Sequence, residues 1–438
     1  MSRHTQLWDR QDLERRLCHA LDVAKRTVEL LAAEGYADAS SPDDPIRPEK
    51  IISETALFLL VASTAHCGDE VHGRIRQLVH LIAPHARSER MLLGVCLEPA
   101  LALDYAAAHI YLNRLGYPDP AFDTLLRRAL GAQARDGRER VPHRMIEQEW
   151  LQAGWSGSSV HSRPMSSAAR NSALNRPIDL LNGTRDDIYA FTHALMYVTD
   201  FNINASPLPR SRSAVLACAE AALAYCLDDQ DYDLAGEVLL AWPLTGRSWS
   251  PAAAFGFRVL ANVEDEAGFL PAPTTRLERA GELEGRQRTN YLLATAYHTV
   301  YVMGLLCAAS LQPGRTPPAS IPSRRVPRGA SERILAILDA DGRETHWCNE
   351  LARLTPVEQD TIAGWLLSIA LRRKTRQRDF HGVATLLREG TLLGLTDTPI
   401  ASQSAEMLDR LALFAEVRAS RRDGERTTHQ TDFERRTA

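Results

Sequence analysis

The sequence of 438 residues has little lysine and few aromatic residues. Only three of its 51 basic residues are lysine, and aromatic residues make up 6% of the chain. The other 48 basic residues are arginine, which together with the many alanines is typical of a GC-rich bacterial gene. Acidic residues outnumber basic ones by 55 to 51, so no general positive field exists to hold a nucleic acid. We therefore expect no nucleic-acid partner.

We also expect no targeting or membrane segment. The N-terminus lacks the apolar stretch of a signal peptide, and the apolar runs are too short or too interrupted to span a bilayer. The seven cysteines are scattered through sequence rich in alanine and leucine, which is typical of buried, reduced thiols. We expect a cytoplasmic protein without a membrane partner.

The common cofactor and catalytic motifs are absent. The sequence contains no Walker A, GxGxxG, GxSxG or HExxH pattern, so no nucleotide cofactor is expected. The acidic run from Asp228 to Asp233 resembles the start of a calcium loop, but Gly236 falls too late for the turn of that loop. We interpret this run as a turn followed by a helix cap.

Strand patterns are scarce, whereas helical periodicity extends over almost the whole chain, so the fold class is predicted to be all-α. The predicted helices pair into hairpins about 40–55 residues apart. An α/α toroid or irregular helical barrel is favoured over an open solenoid, because polar residues recur on several apolar helices. Predicted helices cover residues 9–35, 48–66, 69–85, 98–115, 119–134, 140–154, 185–200, 211–228, 232–244, 249–266 and 287–310.

The chain is predicted to divide at a proline-rich segment. Residues 1–310 form the main domain with the site cavity, and residues 311–331 contain five prolines and form a linker. A small helical domain follows at 332–420, and the tail 421–438 is expected to be disordered. Residues 156–183, rich in serine, asparagine and arginine, are expected to cover the site as a substrate loop.

The most informative helix begins after Gly183. Residues seven apart lie within about 20° of each other on a helix, so Asp186, His193 and Asp200 form one stripe. Tyr189 and Tyr197 lie one turn to either side of the histidine. Such a row suits general-base catalysis or metal binding.

A structural role explains part of this stripe equally well. Thr184 and Asp187 form a capping-box pattern, and Asp186 lies where the helix dipole favours an anion. Asp200 lies at the opposite end, where a negative charge needs a partner. The structural alternative therefore leaves Asp200 and His193 as the stronger functional candidates.

Comparable polar residues occur on other helices. His109 follows Tyr105 by four residues, and His298 follows Tyr291 by seven. If one helix of each hairpin lines the centre of a toroid, these side chains converge with Glu54, His143 and Glu147 on one cavity. We predict that the catalytic residues are His193, Asp200, Tyr197 and Tyr291. The predicted metal ligands are His109, His193, His298 and Asp186.

Three imidazoles with carboxylates suit zinc, iron or manganese, and we expect iron or zinc. A metal-free cavity that uses His193 and Asp200 as a catalytic dyad is nearly as well supported. No ligand signature decides between the two, because the metal hypothesis depends on the expected convergence of the helices.

The segments Thr184–Phe201 and Ala296–Gly304 are similar to uncharacterised all-helical bacterial proteins that accompany natural-product gene clusters. The resemblance implies a tailoring enzyme of secondary metabolism and favours Thr192, His193, Asp200 and His298 as functional residues. We therefore expect a metal-assisted or histidine-dependent enzyme that acts on a small or peptide-like metabolite. The alternative is a non-catalytic helical scaffold that binds a peptide or partner protein. The sequence leaves open whether the protein forms a homo-oligomer.

Overall fold

The structure, a computed structural model, describes residues 9–31, 48–157, 165–203, 207–338 and 345–437, with side chains as far as Arg421. The regular structure in these residues is helical throughout, without a strand, which confirms the predicted all-α class. The α-helices are α1 (Arg10–Glu29), α2 (Pro48–Ala62), α3 (Asp69–Ala86), α4 (Glu89–Leu97), α5 (Ala102–Arg114), α6 (Pro120–Leu130), α7 (Pro142–Ser156), α8 (Ser167–Asn171), α9 (Arg185–Val198), α10 (Arg212–Asp228), α11 (Tyr232–Leu239), α12 (Ala241–Thr245), α13 (Pro251–Ala267), α14 (Leu277–Glu282), α15 (Gly285–Ser310), α16 (Ala330–Leu338), α17 (His346–Arg353), α18 (Pro356–Thr361), α19 (Ala363–Arg376), α20 (Phe380–Leu393) and α21 (Pro399–Thr437). Short 3-10 helices occur at Pro99–Leu101, Gln133–Asp136 and Asp200–Asn202.

Local sequence fixes many of the helix ends. The side chain of Asp119 accepts hydrogen bonds from the first turn of α6, which begins with proline. Ser250 caps α13 in the same way, and that helix ends at Gly268, whose φ of 78° favours glycine. The capping box predicted for Thr184 and Asp187 is confirmed at the start of α9.

Six helices form a closed ring. In the ring α2 contacts α5, α5 contacts α7, α7 contacts α9, α9 contacts α11, α11 contacts α15, and α15 returns to α2. Other helices lie outside it, with α1 against α15 and α10 against α11. The ring therefore brings side chains from distant parts of the sequence around one central space.

Helix α15 departs from the expectation that every apolar run is too short or too interrupted to span a bilayer. It is long and apolar enough to cross a membrane. Helix α4 and the segment Pro99–Arg114 are together also long and apolar enough, but a bend of 116° separates them. In α15, 83% of the most apolar window is buried inside the structure. Burial against α1, α2 and α11 accounts for the apolar character of this helix.

The C-terminal helices pack directly on the rest of the chain. Helix α19 contacts α10, and α17 contacts α13. The ring of Trp365 lies 5.2 Å from that of Phe255, and Arg373 pairs with Asp228. One continuous cluster of buried apolar residues joins both parts. The core therefore shows no break at residues 311–331, and the division of the chain into domains there stays a prediction.

Two predicted irregular segments are partly described. Of residues 156–183, the range 158–164 lies outside the described residues. The following part packs toward the C-terminal helices, where Leu180 accepts a hydrogen bond from Arg372 and its amide donates to Gln403. In the tail, the backbone of α21 is helical through Thr437, whereas residues 421–438 were expected to be disordered.

Candidate functional site

The ring of six helices lines an open cavity of about 390 Å³. Much of its wall is aliphatic or aromatic, and its charged and polar groups come from all six helices. An apolar pocket with a few converging polar groups is typical of sites that bind small molecules. The charged, imidazole and tyrosine side chains used below are Glu54, Tyr105, Arg144, Glu147, Tyr189, His193, Tyr197, Glu237 and His298.

His298 on α15 is surrounded by three carboxylates, and we call Glu54, Asp233, Glu237 and His298 the His298 cluster. Nδ1 of His298 lies 3.1 Å from Glu54, and Nε2 lies 3.6 Å from Asp233 and 3.8 Å from Glu237. Burial alone would lower the pKa of His298, but Glu54 and Asp233 raise it well above 6.5. Burial would raise the pKa of Glu54, but His298 lowers it to about 2.

Asp233 and Glu237 are four residues apart on α11 and therefore share one face of the helix. Both are buried. A Cβ at Gly236 would lie 2.6 Å from Val302 of α15, so the glycine allows the close approach of the two helices. This approach places both carboxylates beside His298.

Each of these carboxylates is held by donors from neighbouring helices. Thr192 donates to Oε2 of Glu237 at 2.6 Å, and Thr299 donates to Oδ1 of Asp233 at 3.1 Å. Arg185 donates to Oδ2 of Asp233 at 2.9 Å. The oxygens that face His298 are thus Oε1 of Glu237 and Oδ1 of Asp233.

His193 lies beside the cluster on α9. Its Nε2 is 3.6 Å from Oε1 of Glu237, and neither buried ring nitrogen has a hydrogen bond within the described residues. The imidazole is held by aromatic packing, with ring centroids 3.8 Å from Tyr189 and 6.1 Å from both His143 and Tyr197. Burial and the neighbouring Arg144 lower the pKa of His143 to about 4, so this neighbour is neutral at pH 7.

A second polar group lines the cavity between α7 and α9. Glu147 accepts a hydrogen bond from Tyr197 at 2.8 Å and pairs with Arg144 at 2.7 Å. Arg144 also donates to the hydroxyl of Tyr189 at 3.1 Å. Burial raises the pKa of Tyr189 and of Tyr197, so both remain phenols at neutral pH.

The residues Asp233, Glu237 and His298 could hold a metal ion. Each offers one ligand atom, and these atoms all lie within 4.8 Å of one another. Two carboxylate oxygens and one imidazole nitrogen are a donor set that divalent zinc, iron and manganese accept. Glu54 would then orient the ligating imidazole through Nδ1, as carboxylates commonly do beside metal-bound histidines.

The structure brings three of the predicted site residues to the cavity. His193, Tyr197 and His298 line it together with Glu54 and Glu147, which the sequence had also indicated. Their helices α9, α15, α2 and α7 all belong to the ring.

His109 and Asp186, both predicted metal ligands, lie elsewhere. His109 is fully buried, bonds to Asp123 at 3.0 Å and stacks on Phe122 with ring centroids 4.1 Å apart. Residues 104, 105, 107 and 111 of α5 line the cavity, whereas the contacts of His109 direct its ring toward α6. Asp186 is exposed in the first turn of α9.

Asp200 and Tyr291, both predicted catalytic residues, are engaged in other contacts. Asp200 accepts a hydrogen bond from Nε1 of Trp150 at 2.6 Å, and Arg114 lies 3.6 Å away. Because α9 ends at Val198 and Asp200 has a φ of 52°, its side chain does not continue the stripe of His193. The hydroxyl of Tyr291 accepts from the amide of Arg276 at 3.0 Å.

The sequence interpretation missed Asp233 and Glu237. The run Asp228 to Asp233 was interpreted as a turn and cap, and Asp231 does cap α11 by accepting from the amide of Leu234. The available signal was a pair of acids at spacing four on an otherwise apolar helix. Burying two carboxylates on one helix face is costly unless cationic groups or a metal ion pair with them.

Comparisons with known proteins give a family but no activity. No curated protein and no solved structure matches the chain. A family model described as a domain of unknown function, DUF6895, matches residues 17–308. This range contains the whole His298 cluster and His193. Because the match spans more than half of the sequence, the chain belongs to the DUF6895 family.

Proposed function

We propose that the protein is a metal-assisted enzyme that acts on a small or peptide-like molecule in the central cavity. Asp233, Glu237 and His298 hold a divalent ion, with iron or zinc as the expected metal. The observation that carries the proposal is the convergence of three ligand atoms whose outer partners are already in place. Metal sites depend on such partners to fix the direction of each ligand.

The charge balance around the His298 cluster supports a bound cation. Four carboxylates, those of the cluster and Asp231, face Arg185, the imidazolium of His298 and Lys50, whose Nζ lies 4.0 Å from Glu54. These groups leave one negative charge beside two buried carboxylates, which is costly. A divalent ion in place of the proton on Nε2 of His298 brings the sum of these charges to zero.

His193 and the tyrosines supply the remaining chemistry. His193 lies next to the ligand Glu237 without being one of the three ligands, so it is placed to accept a proton from a water or substrate group bound at the metal. Tyr189 and Tyr197 form the adjacent wall and remain protonated. A divalent ion held by these ligands would polarise a substrate or activate a water molecule, and the apolar wall would limit the access of bulk solvent.

The biological setting follows from the sequence resemblance. We propose a tailoring step of bacterial secondary metabolism that takes place in the cytoplasm. The segments that carry the resemblance contribute His193 and His298 to the cavity, and Thr192, whose hydroxyl donates to Glu237. We also propose that the closed ring of α2, α5, α7, α9, α11 and α15 is the inner layer of an α/α toroid, which its sequence of contacts supports.

Metal content is the first test. The full chain is stripped with chelator and titrated by calorimetry with Zn²⁺, Mn²⁺ and, without oxygen, Fe²⁺. We expect one equivalent in the wild type and in the control His381→Ala, an exposed histidine of α20, and none in His298→Ala. Glu237→Gln serves as the second ligand variant, in case His298→Ala does not fold. Substoichiometric binding that neither substitution changes would overturn the metal site.

Turnover is the second test. A bacterial metabolite extract is incubated with metal-loaded wild-type protein or with His193→Ala and then compared by mass spectrometry. We expect compounds that only the wild type consumes, and only when the metal is present. Equal profiles for both proteins contradict the enzymatic role.

One observation favours the scaffold as a second candidate function. An open groove of about 970 Å³ runs beside α7 and the 3-10 helix Gln133–Asp136, and the apolar side chains of Val141 and Met145 are exposed along it. Such a groove can accept an extended peptide. The scaffold gains support if the wild type takes up no metal and the metabolite profiles are equal.

A further inference from the structure

Arg185 joins α9, which carries His193, to α11, which carries two of the three proposed metal ligands. It is the first residue of α9, and its guanidinium donates through Nε to Asp231 at 2.8 Å and through Nη2 to Asp233 at 2.9 Å. Asp231 is the N-cap of α11, and Asp233 is the second residue of that helix. The same guanidinium therefore contacts a helix cap and a carboxylate of the proposed metal site.

We infer that Arg185 is a positioning residue for the metal, and this inference rests on the proposed function. By holding Oδ2 of Asp233, Arg185 leaves Oδ1 directed toward Nε2 of His298, 3.6 Å away. The carboxylate is thereby presented as a ligand through one oxygen, with the ligand direction fixed before the ion arrives.

The link also sets the register between α9 and α11. Arg185 contacts α11 at its first turn, and Thr192, two turns further along α9, donates to Glu237 at the next turn of α11. These two contacts fix α9 at both ends of the stretch that precedes His193. The distance between His193 and Glu237 therefore depends on both.

The planar fork of arginine is essential to this role. Two carboxylates on one helix end each receive a separate N–H from the same rigid group, whereas the ammonium of lysine is a single point charge that cannot hold both directions. A lysine at position 185 keeps the charge but loses the geometry. This difference separates positioning from simple charge compensation.

The closing experiment compares Zn²⁺ affinity in the full chain by chelator competition. We expect Arg185→Lys and Arg185→Met to bind Zn²⁺ 10- to 100-fold more weakly than the wild type, the usual effect of losing an outer partner of a metal ligand. The control is Arg212→Lys, an exposed arginine that likewise opens a helix, α10, and it should bind as the wild type does. Thermal unfolding of the metal-free proteins shows whether each variant is folded.

A spectroscopic measurement distinguishes positioning from a purely structural role. Co²⁺ bound in the wild type and in Arg185→Lys should give different visible absorption bands, because the coordination geometry changes. Equal Zn²⁺ affinity and equal Co²⁺ spectra in these two proteins would overturn the inference. If the wild type itself binds no metal, the proposed function fails instead, so the two failures are distinguishable.

Discussion

The carboxylate of Glu54 lies 3.1 Å from Nδ1 of His298, although the two residues are 244 positions apart in the sequence. Their helices, α2 and α15, are neighbours in the ring. With Nδ1–H directed to Glu54, the neutral imidazole presents its unprotonated Nε2 to Asp233 and Glu237. Glu54 therefore determines which nitrogen of His298 is available to a metal.

Replacing Glu54 by glutamine should weaken Zn²⁺ binding 10- to 100-fold, because the three ligands remain but the imidazole loses its orienting carboxylate. The measurement is chelator competition at pH 7. The control Glu70→Gln alters an exposed acid of α3 that pairs with Arg74, and it should leave the affinity unchanged. Equal affinities for Glu54→Gln and the wild type would show that Glu54 does not orient the ligand.

Much of the helical layout was available from the sequence. The predicted helix 211–228 corresponds to α10 at Arg212–Asp228, and the predicted helix 287–310 corresponds to α15 at Gly285–Ser310. Capping residues also indicate where helices begin, as Thr184 and Asp187 do for α9. The break between α3 and α4 near Arg87 lay beyond the predicted helix 69–85, and α4 was not predicted.

The site was harder to predict, because periodicity tells which residues share a face but not which face meets the cavity. Tyr105 with His109 and Tyr189 with His193 have the same spacing, yet of the two histidines His193 lines the cavity and His109 does not. His109 instead bonds to Asp123 on α6, a contact between helices outside the ring's interior. The direction of each helix in the ring depends on packing between distant segments.

Trp150→Phe tests the role of Asp200. The substitution removes the Nε1–H that donates to this buried carboxylate at 2.6 Å while keeping an aromatic ring. We expect the free energy of unfolding to fall by about 1–3 kcal/mol, the usual cost of a lost buried hydrogen bond. Urea unfolding measures the change.

A structural role for Asp200 requires that Zn²⁺ affinity stay the same in Trp150→Phe. The matched control is Trp155→Phe, which loses a longer bond of 3.3 Å to Asp123 at a partly exposed site and should cost less. A strong loss of Zn²⁺ affinity with unchanged stability would instead show that Asp200 contributes to the metal site.

The C-terminal end of α19 offers a stabilising substitution. Arg378 is exposed and has a φ of 58°, in the left-handed region that favours glycine. Arg378→Gly should raise the free energy of unfolding by about 0.5–1 kcal/mol, measured in urea. The opposite control is Gly394→Ala at the end of α20, where φ is 67° and the change should destabilise by a similar amount. Destabilisation by Arg378→Gly would mean that its side chain makes contacts that outweigh the backbone strain.

Asp360 should give the protein a specific acid sensitivity. Its carboxylate accepts hydrogen bonds from the amide of Gly329 at 2.9 Å and from the amide and hydroxyl of Ser331 at 3.0 and 2.8 Å, at the start of α16. Burial would raise the pKa of Asp360, but these hydrogen bonds lower it below its ordinary 3.8. A carboxyl whose pKa is lowered by folding stabilises the protein above its ordinary pKa, and this contribution is lost as the pH falls through the folded-state pKa.

Asp360→Asn should therefore cost about 1 kcal/mol at pH 7, as for loss of a helix-capping carboxylate, and the difference from the wild type should shrink below about pH 4. Urea unfolding between pH 2.5 and 7 measures both curves. The control Asp136→Asn alters a carboxylate whose side chain is 96% exposed and should follow the wild type at every pH. If the loss of stability caused by Asp360→Asn stayed constant down to pH 2.5, asparagine would be as poor a substitute for the protonated acid as for the ionised one. The hydrogen bonds to the charged carboxylate would then not be the source of that loss.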